Sequence, residues 1–292
     1  MMHTTPAFDA PFALGMMNLG EAPDLQRPAA LADWIEARLD QGLVWFDHAD
    51  IYGNRHCEAL FGEALRLRPG LAGRLGLITK TGIVTPDRDT SAFGVKHYNS
   101  SHAHVSAAID AALERLGVEH VEHFLLHRPD PLMSAEATGR ALDDAIEAGK
   151  IGAAGVSNFL PEAWRRLAAA MRHPLQAHQL QLSLAHSTPL FDGLYDAVIG
   201  DGQQPMAWSP LGGGACLSGA LGERLESLAA DRGLSAAGLA LAWLRALPGR
   251  PLPVIGSLTA SRITQLLDDA RHDLDRATWY HLLETARGHE VA

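Results

Sequence analysis

Residues 43–67 read LVWFDHADIYGNRHCEALFGEALRL. Leu43–Phe46 is an apolar run of the length of a barrel strand, and Cys57–Leu67 carries apolar residues at helical spacing. The stretch is therefore one strand–helix unit, with a polar segment, Asp47–Gly53, at the end of the strand. Outward from it the unit recurs. Further short apolar runs lie at Phe12–Met16, Leu75–Thr79, His123–Leu126, Ile151–Val156, Ala177–Gln181, Pro205–Trp208 and Pro253–Gly256. Helix signals fill Ala29–Leu39, Ala103–Leu116, Ala135–Ala148, Pro161–Met171 and Thr259–Ala270, leaving Thr85–His102 and Ser183–Leu190 as the longest irregular connections. Eight runs without strict alternation suit parallel strands buried on both faces. Together they predict an α/β chain with one (β/α)8 TIM barrel domain spanning residues 1–292. A doubly wound sheet is the rival, but its first strand–helix turn would need a GxGxxG that this chain lacks there.

Composition narrows the class of function. With 24 Lys and Arg against 34 Asp and Glu, the net charge of −10 disfavours nucleic acid and anionic lipid as partners. No apolar run has the length of a membrane span, and the N-terminus lacks the pattern of a secretory leader. Cys57 and Cys216 allow at most one disulfide and no structural zinc site, so they read as buried apolar residues of a cytoplasmic protein. His97, His102 and His104 lack a partner set on a second strand, so no metal is expected. Arg38–Asp40 and Glu223–Glu226 read as solvated helix faces.

In a barrel, chemistry gathers at the C-terminal ends of the strands. Four ends are loaded: Phe46-Asp47-His48-Ala49-Asp50-Ile51-Tyr52-Gly53, Thr79-Lys80-Thr81, Leu126-His127-Arg128-Pro129 and Gly155-Val156-Ser157-Asn158-Phe159. An Asp, a Tyr, a Lys and a His converging on one pocket can move a proton to a carbonyl oxygen. An ammonium beside a phenol favours phenolate, so Lys80 is expected to lower the pKa of Tyr52, with Asp47 pairing Lys80.

FDHADIYG, LITKTG, LLHRPDP, GVSNF and MAWSPLGGG, in this order, resemble the aldo-keto reductase superfamily from about Phe12 to His289, especially its bacterial oxidoreductase branch. The resemblance implies a monomeric barrel that reduces a small aldehyde or ketone by hydride transfer from NADPH. It makes Tyr52 the general acid and base, Asp47 and Lys80 its tuning pair, and His127 the donor that orients the carbonyl. It also implies a cofactor site built from Gly15, Met16, Asp47, Ser157, Asn158 and Gln179, with Trp208 stacked on the nicotinamide. Ser209, Leu211 and Gly213 fall at the pyrophosphate, and Gly256, Ser257, Thr259, Arg262 and Gln265 at the 2′-phosphate. The chain departs from the family pattern where a lysine is often found at Gly256 and an asparagine at Leu266, which leaves NADH as a weaker alternative. His178, Gln181 and Met17 depart near the substrate. Two other classes share parts of this pattern: a non-catalytic nicotinamide-binding subunit, which needs no tetrad, and a metal-dependent barrel hydrolase. The hydrolase commonly needs a His-x-His at the end of the first strand, which is absent here.

Overall fold

A computed structural model describes Phe8 and residues 10–290; the N-terminal stretch up to residue 7, part of the segment expected not to be a leader, lies outside the described residues. The strands are β1 (Ala13–Gly15), β2 (Trp45–Asp47), β3 (Gly76–Thr81), β4 (Ile83–Val84), β5 (His97–Tyr98), β6 (Val121–Leu126), β7 (Ile151–Ser157), β8 (Leu175–Gln181), β9 (Gln204–Trp208) and β10 (Leu252–Ile255). Eight of them close into a barrel in the order β1-β10-β9-β8-β7-β6-β3-β2, as the alternation predicts. Registers such as Asp47↔Ile78 and Lys80↔Leu125 are parallel.

The helices are α1 (Pro28–Asp40), α2 (His56–Leu67), α3 (His102–Leu116), α4 (Ala135–Glu147), α5 (Pro161–Ala169), α6 (Leu194–Gly200), α7 (Gly219–Ala230), α8 (Ala236–Arg245), α9 (Ala260–Asp269) and α10 (Arg276–Arg287). Local chemistry sets several of their ends. Pro28 and Pro161 open α1 and α5 where no N–H is needed, and Ser101 caps α3, which Gly117 ends at φ +67°. The described residues form two compact units, an N-terminal one up to His178 and a C-terminal one from Gln179.

Three helices, α6, α8 and α10, lie outside the sequence expectation, and α7 is met only at Glu223–Glu226, whose glutamates are exposed on that helix as expected. The reason is clearest for α8, where Gly238–Leu244 are all buried, so no polar face remains to show a helical period. The expected irregular stretch Thr85–His102 also differs. It contains β5, which pairs antiparallel with β4 just before the stretch, Ile83 opposite Tyr98, and each strand is too short to show an alternation. Arg38 is no solvated residue either: it is buried over the Trp34 ring, 5.6 Å from its centroid.

Two contacts in the N-terminal unit fix α2 and α3 against the strand that carries Lys80. Glu58 of α2 is fully buried and accepts from Thr79 Oγ1 at 2.6 Å and Arg115 Nε at 2.7 Å, tying both helices to β3. Gly62 lets the same helices approach closely, since a Cβ there would lie 1.9 Å from the Arg115 carbonyl oxygen. Gly62→Ala is expected to destabilise the fold by about 1–3 kcal/mol, because the clash is with backbone that cannot rotate away. Urea unfolding at neutral pH reads this directly; an unchanged midpoint would show that the helices are not packed this closely.

Candidate active site

The N-terminal unit brings the expected tetrad together. Asp47 is the last residue of β2, Lys80 lies in β3, and His127 follows β6. Lys80 Nζ donates to Asp47 Oδ1 at 2.8 Å and Oδ2 at 2.7 Å, to the His48 carbonyl at 2.7 Å, and reaches Tyr52 Oη at 3.5 Å. Lysine and aspartate are both buried, at 0% and 2% exposure, so water screens neither charge. Burial, the largest single influence, would lower the Lys80 pKa, but the Asp47 carboxylate and Tyr52 together outweigh it and hold the ammonium above its ordinary range. Lys80 is therefore a fixed cation at neutral pH.

For Tyr52 the balance runs against the expectation. Burial raises the phenol pKa more than the nearby Lys80 lowers it, and Asp47 adds to the rise. The ammonium thus offsets part of a desolvation cost and does not produce a free phenolate. Tyr52 stands protonated, as a proton donor must. The His127 ring stands edge-on to Tyr52, with centroids 6.0 Å apart. Its pKa is held well below the ordinary value, by burial first and then by Lys80, Arg128 and Lys96, so the imidazole is neutral. Its Nδ1 is buried without a partner. Placing the proton on Nε2 leaves a bare acceptor at Nδ1, and a bare acceptor is tolerated better than an orphaned N–H.

Ser157 ends β7, and Asn158 takes φ +60°, which turns the chain out of the strand. Asn158 Nδ2 donates to Ser157 Oγ at 2.7 Å and to the His127 carbonyl at 3.5 Å. Gly15 ends β1, with Met16 buried just beyond it and Met17 58% exposed.

One group here was not singled out from sequence. Asp50, buried two residues before Tyr52, accepts at Oδ2 from Thr81 Oγ1 at 2.9 Å and Arg88 Nη2 at 3.3 Å. The signal was present, since Asp50 sits inside HADIYG, but its partner Arg88 lies in a stretch that reads only as loop.

In the C-terminal unit, Gln179 is buried in β8, and Trp208 is the half-buried last residue of β9. Beyond it Ser209 takes φ +48°, and Gly212, Gly213 and Gly214 take +61°, +64° and +102°. A Cβ at Gly213 or Gly214 would meet nothing within 4 Å, so this backbone faces open space. Leu211 O accepts from Gly214 N at 3.0 Å and Cys216 N at 3.2 Å, closing the turn. Gly256, Ser257 and Thr259 lie between β10 and α9, with Thr259 as the N-cap residue. Arg262 and Gln265 are exposed on α9. Gln265 Nε2 donates to Asp269 Oδ1 at 3.0 Å, so this side chain already has a partner on its own helix. Among the described residues no group of three or more His, Cys, Asp or Glu could hold a metal ion.

A closed parallel barrel carrying a buried Lys–Asp pair beside a tyrosine at its strand ends defines the class of the protein as a (β/α)8 barrel. The chain belongs to the aldo/keto reductase family, whose model matches residues 11–284. It is 40% identical over 281 residues to 6-dehydroglucose reductase of Agrobacterium fabrum, covering 95% of this chain and 94% of the relative. It is 35% identical over 266 residues to oxidoreductase YdhF of Escherichia coli, covering 89% of each. In fold it is similar to an aldo/keto reductase from Klebsiella pneumoniae solved with NADP and acetate, with a TM-score of 0.76 at 24% identity, covering 92% of this chain and 89% of that one.

Proposed function

We propose that the protein reduces the carbonyl of a small aldehyde or ketone with NADPH, Tyr52 supplying the proton. The observation that carries this reading is Lys80 Nζ, held between the Asp47 carboxylate and Tyr52 Oη at 2.7 and 3.5 Å. Tyr52 donates its phenolic proton to the substrate oxygen as negative charge develops there, and Lys80 stabilises the phenolate left behind. Asp47 keeps that ammonium charged and in place. Neutral His127, donating from Nε2, orients the carbonyl oxygen without competing as an acid.

The residues present fit the cofactor. The Gly212–Gly214 backbone faces open space in left-handed conformations that a phosphate can approach closely. In the N-terminal unit Ser157 and Asn158 are the residues proposed for the carboxamide, with Gly15, Met16 and Asp47 also proposed for the cofactor; in the C-terminal unit Gln179 is proposed for the carboxamide, Trp208 for stacking on the ring, and Ser209, Leu211 and Gly213 for the pyrophosphate. Bound there, NADPH supplies the hydride. Ser257, Thr259 and exposed Arg262 are the residues proposed for the 2′-phosphate, and Gly256 brings no second cation. Gln265, bonded to Asp269, would have to give up that contact to join them. Free, buried Cys57 and Cys216 suit a reducing compartment, and we take the working form to be a cytoplasmic monomer.

The name of the 40% identical relative puts 6-dehydroglucose first among substrates to try. Loss of reduced-nicotinamide absorbance, assayed over a panel of sugar aldehydes, small aldehydes and ketones, tests the activity. Tight NADPH binding without turnover on any member would favour a nicotinamide-binding subunit instead. Arg262→Ala is expected to weaken NADPH by about 1.5–3 kcal/mol while leaving NADH nearly unchanged, because only the 2′-phosphate is lost as a partner. Dissociation constants for both cofactors at one ionic strength decide it. Equal losses would make Arg262 a support for the adenine or for the helix.

A further inference from the structure

The loop that presents Tyr52 is conformationally expensive. Gly53, Asn54 and Arg55 follow it with φ of +54°, +50° and +75°, three left-handed residues in a row, of which two carry side chains. Such a run costs more than an ordinary turn and persists only where its surroundings hold it. Two consecutive residues of the β4–β5 connection do so, one on each side of the tyrosine. Asn54 Nδ2, two residues after Tyr52, donates to Asp87 Oδ2 at 2.9 Å. Asp50, two residues before it, receives Arg88 Nη2 at 3.3 Å on its carboxylate and Arg88 Nη1 at 3.5 Å on its carbonyl. The Arg88–Asp50 pair is well shielded, with side chains 12% and 3% exposed. Asp50 is in turn anchored to β3 by its own N–H on the Lys80 carbonyl at 3.0 Å and by Thr81 Oγ1 at 2.9 Å.

We propose that Arg88 and Asp87 are positioning residues: the β4–β5 connection clamps the left-handed loop at Asp50 and Asn54 and thereby sets the distance from Tyr52 Oη to Lys80 Nζ. This rests on Tyr52 being the proton donor. At 3.5 Å the Tyr52–Lys80 contact is already the longest that Lys80 makes, so a small drift of the loop would break it first. The Lys80–Asp47 pair, held by three short bonds to β2 and His48, would survive such a drift.

Arg88→Met and its milder companion Arg88→Lys test the proposal beside Tyr52→Phe. Arg88→Met is expected to lower kcat by about 10–100-fold, the scale of a misplacement of about 1 Å, with the NADPH dissociation constant unchanged. Arg88→Lys should recover most of that loss. Amide hydrogen exchange at Tyr52 and Asn54, whose N–H groups bond to Ala49 O at 3.1 Å and Ile51 O at 3.1 Å, should quicken in Arg88→Met while exchange in β6 does not change. In Arg88→Met with Asp50→Asn the losses should fall short of their sum, because both weaken the Arg88–Asp50 pair, although Asp50→Asn also alters the bond from Thr81 Oγ1. Parent-like kcat and exchange in Arg88→Met, with Tyr52→Phe inactive, would overturn the clamp alone. An active Tyr52→Phe would instead overturn the assignment of the proton donor. A uniform rise in exchange across the N-terminal unit would also overturn the clamp, by making Arg88 a general support of the fold.

Discussion

Tyr52→Phe is expected to remove most carbonyl reduction, by about 10²–10⁴-fold, with NADPH binding and folding nearly intact. The phenyl ring keeps the volume and loses only the transferable proton. Lys80 keeps its bonds to both Asp47 oxygens and to the His48 carbonyl, so no buried charge is left alone. That makes it a cleaner probe than Lys80→Met, which would strand a carboxylate only 2% exposed and cost several kcal/mol of stability besides activity. Single-turnover rates with saturating NADPH, compared with unfolding midpoints for the same samples, separate chemistry from folding. Parent-like turnover by the phenylalanine variant would require another acid.

Acid is expected to unfold this protein through histidines buried in the neutral form. His48 and His123 are buried, and neither ring nitrogen of either has a hydrogen-bond partner. Burial, with Lys80 as a lesser cause, pushes His48 down to about 3, and burial with His120 pushes His123 down to about 4, against an ordinary value of 6.5. Both folded-state pKa values lie below the unfolded one. The unfolded chain therefore binds the extra protons, and stability is whole above about pH 6.5 and lost as pH falls toward the folded values. Between about pH 7.5 and about pH 4.5 each histidine should cost about 2–3 kcal/mol, or about 5 kcal/mol together. His48→Leu keeps the volume against Phe61, whose ring lies 4.6 Å from that of His48, and removes one titration. Its stability should fall by about 2–3 kcal/mol less over that interval in urea titrations. An identical fall in parent and variant would show that His48 takes up its proton in the folded protein as readily as in the unfolded one.

The barrel was legible because parallel strands buried on both faces leave short apolar runs with punctuation between them. Each of the eight runs overlaps a barrel strand, and the boundaries move by only a few residues, as where Leu75–Thr79 becomes Gly76–Thr81. Part of what escaped was structure without a period. In α8 both faces are buried, so no polar face marks a helical period, and β4 and β5, at two residues each, are too short to show an alternation. Helix α10 does carry an apolar stripe, with Leu282 and Leu283 buried, so its period is legible in the sequence although it lies outside the expected helices.

The sequence by itself determined the fold class, the family and the four residues that meet at the Tyr52 site, because strand order alone carries Asp47, Lys80 and His127 to neighbouring strand ends. Only the tertiary structure decided their electrostatic state. Whether Tyr52 is raised or lowered depends on how much water burial removes against how near Lys80 stands, and that is a balance of distances with no trace in the order of residues. It alone also joined Arg88 to Asp50 across a separation of 38 in sequence, since a loop residue acquires a partner only when the chain has closed around it.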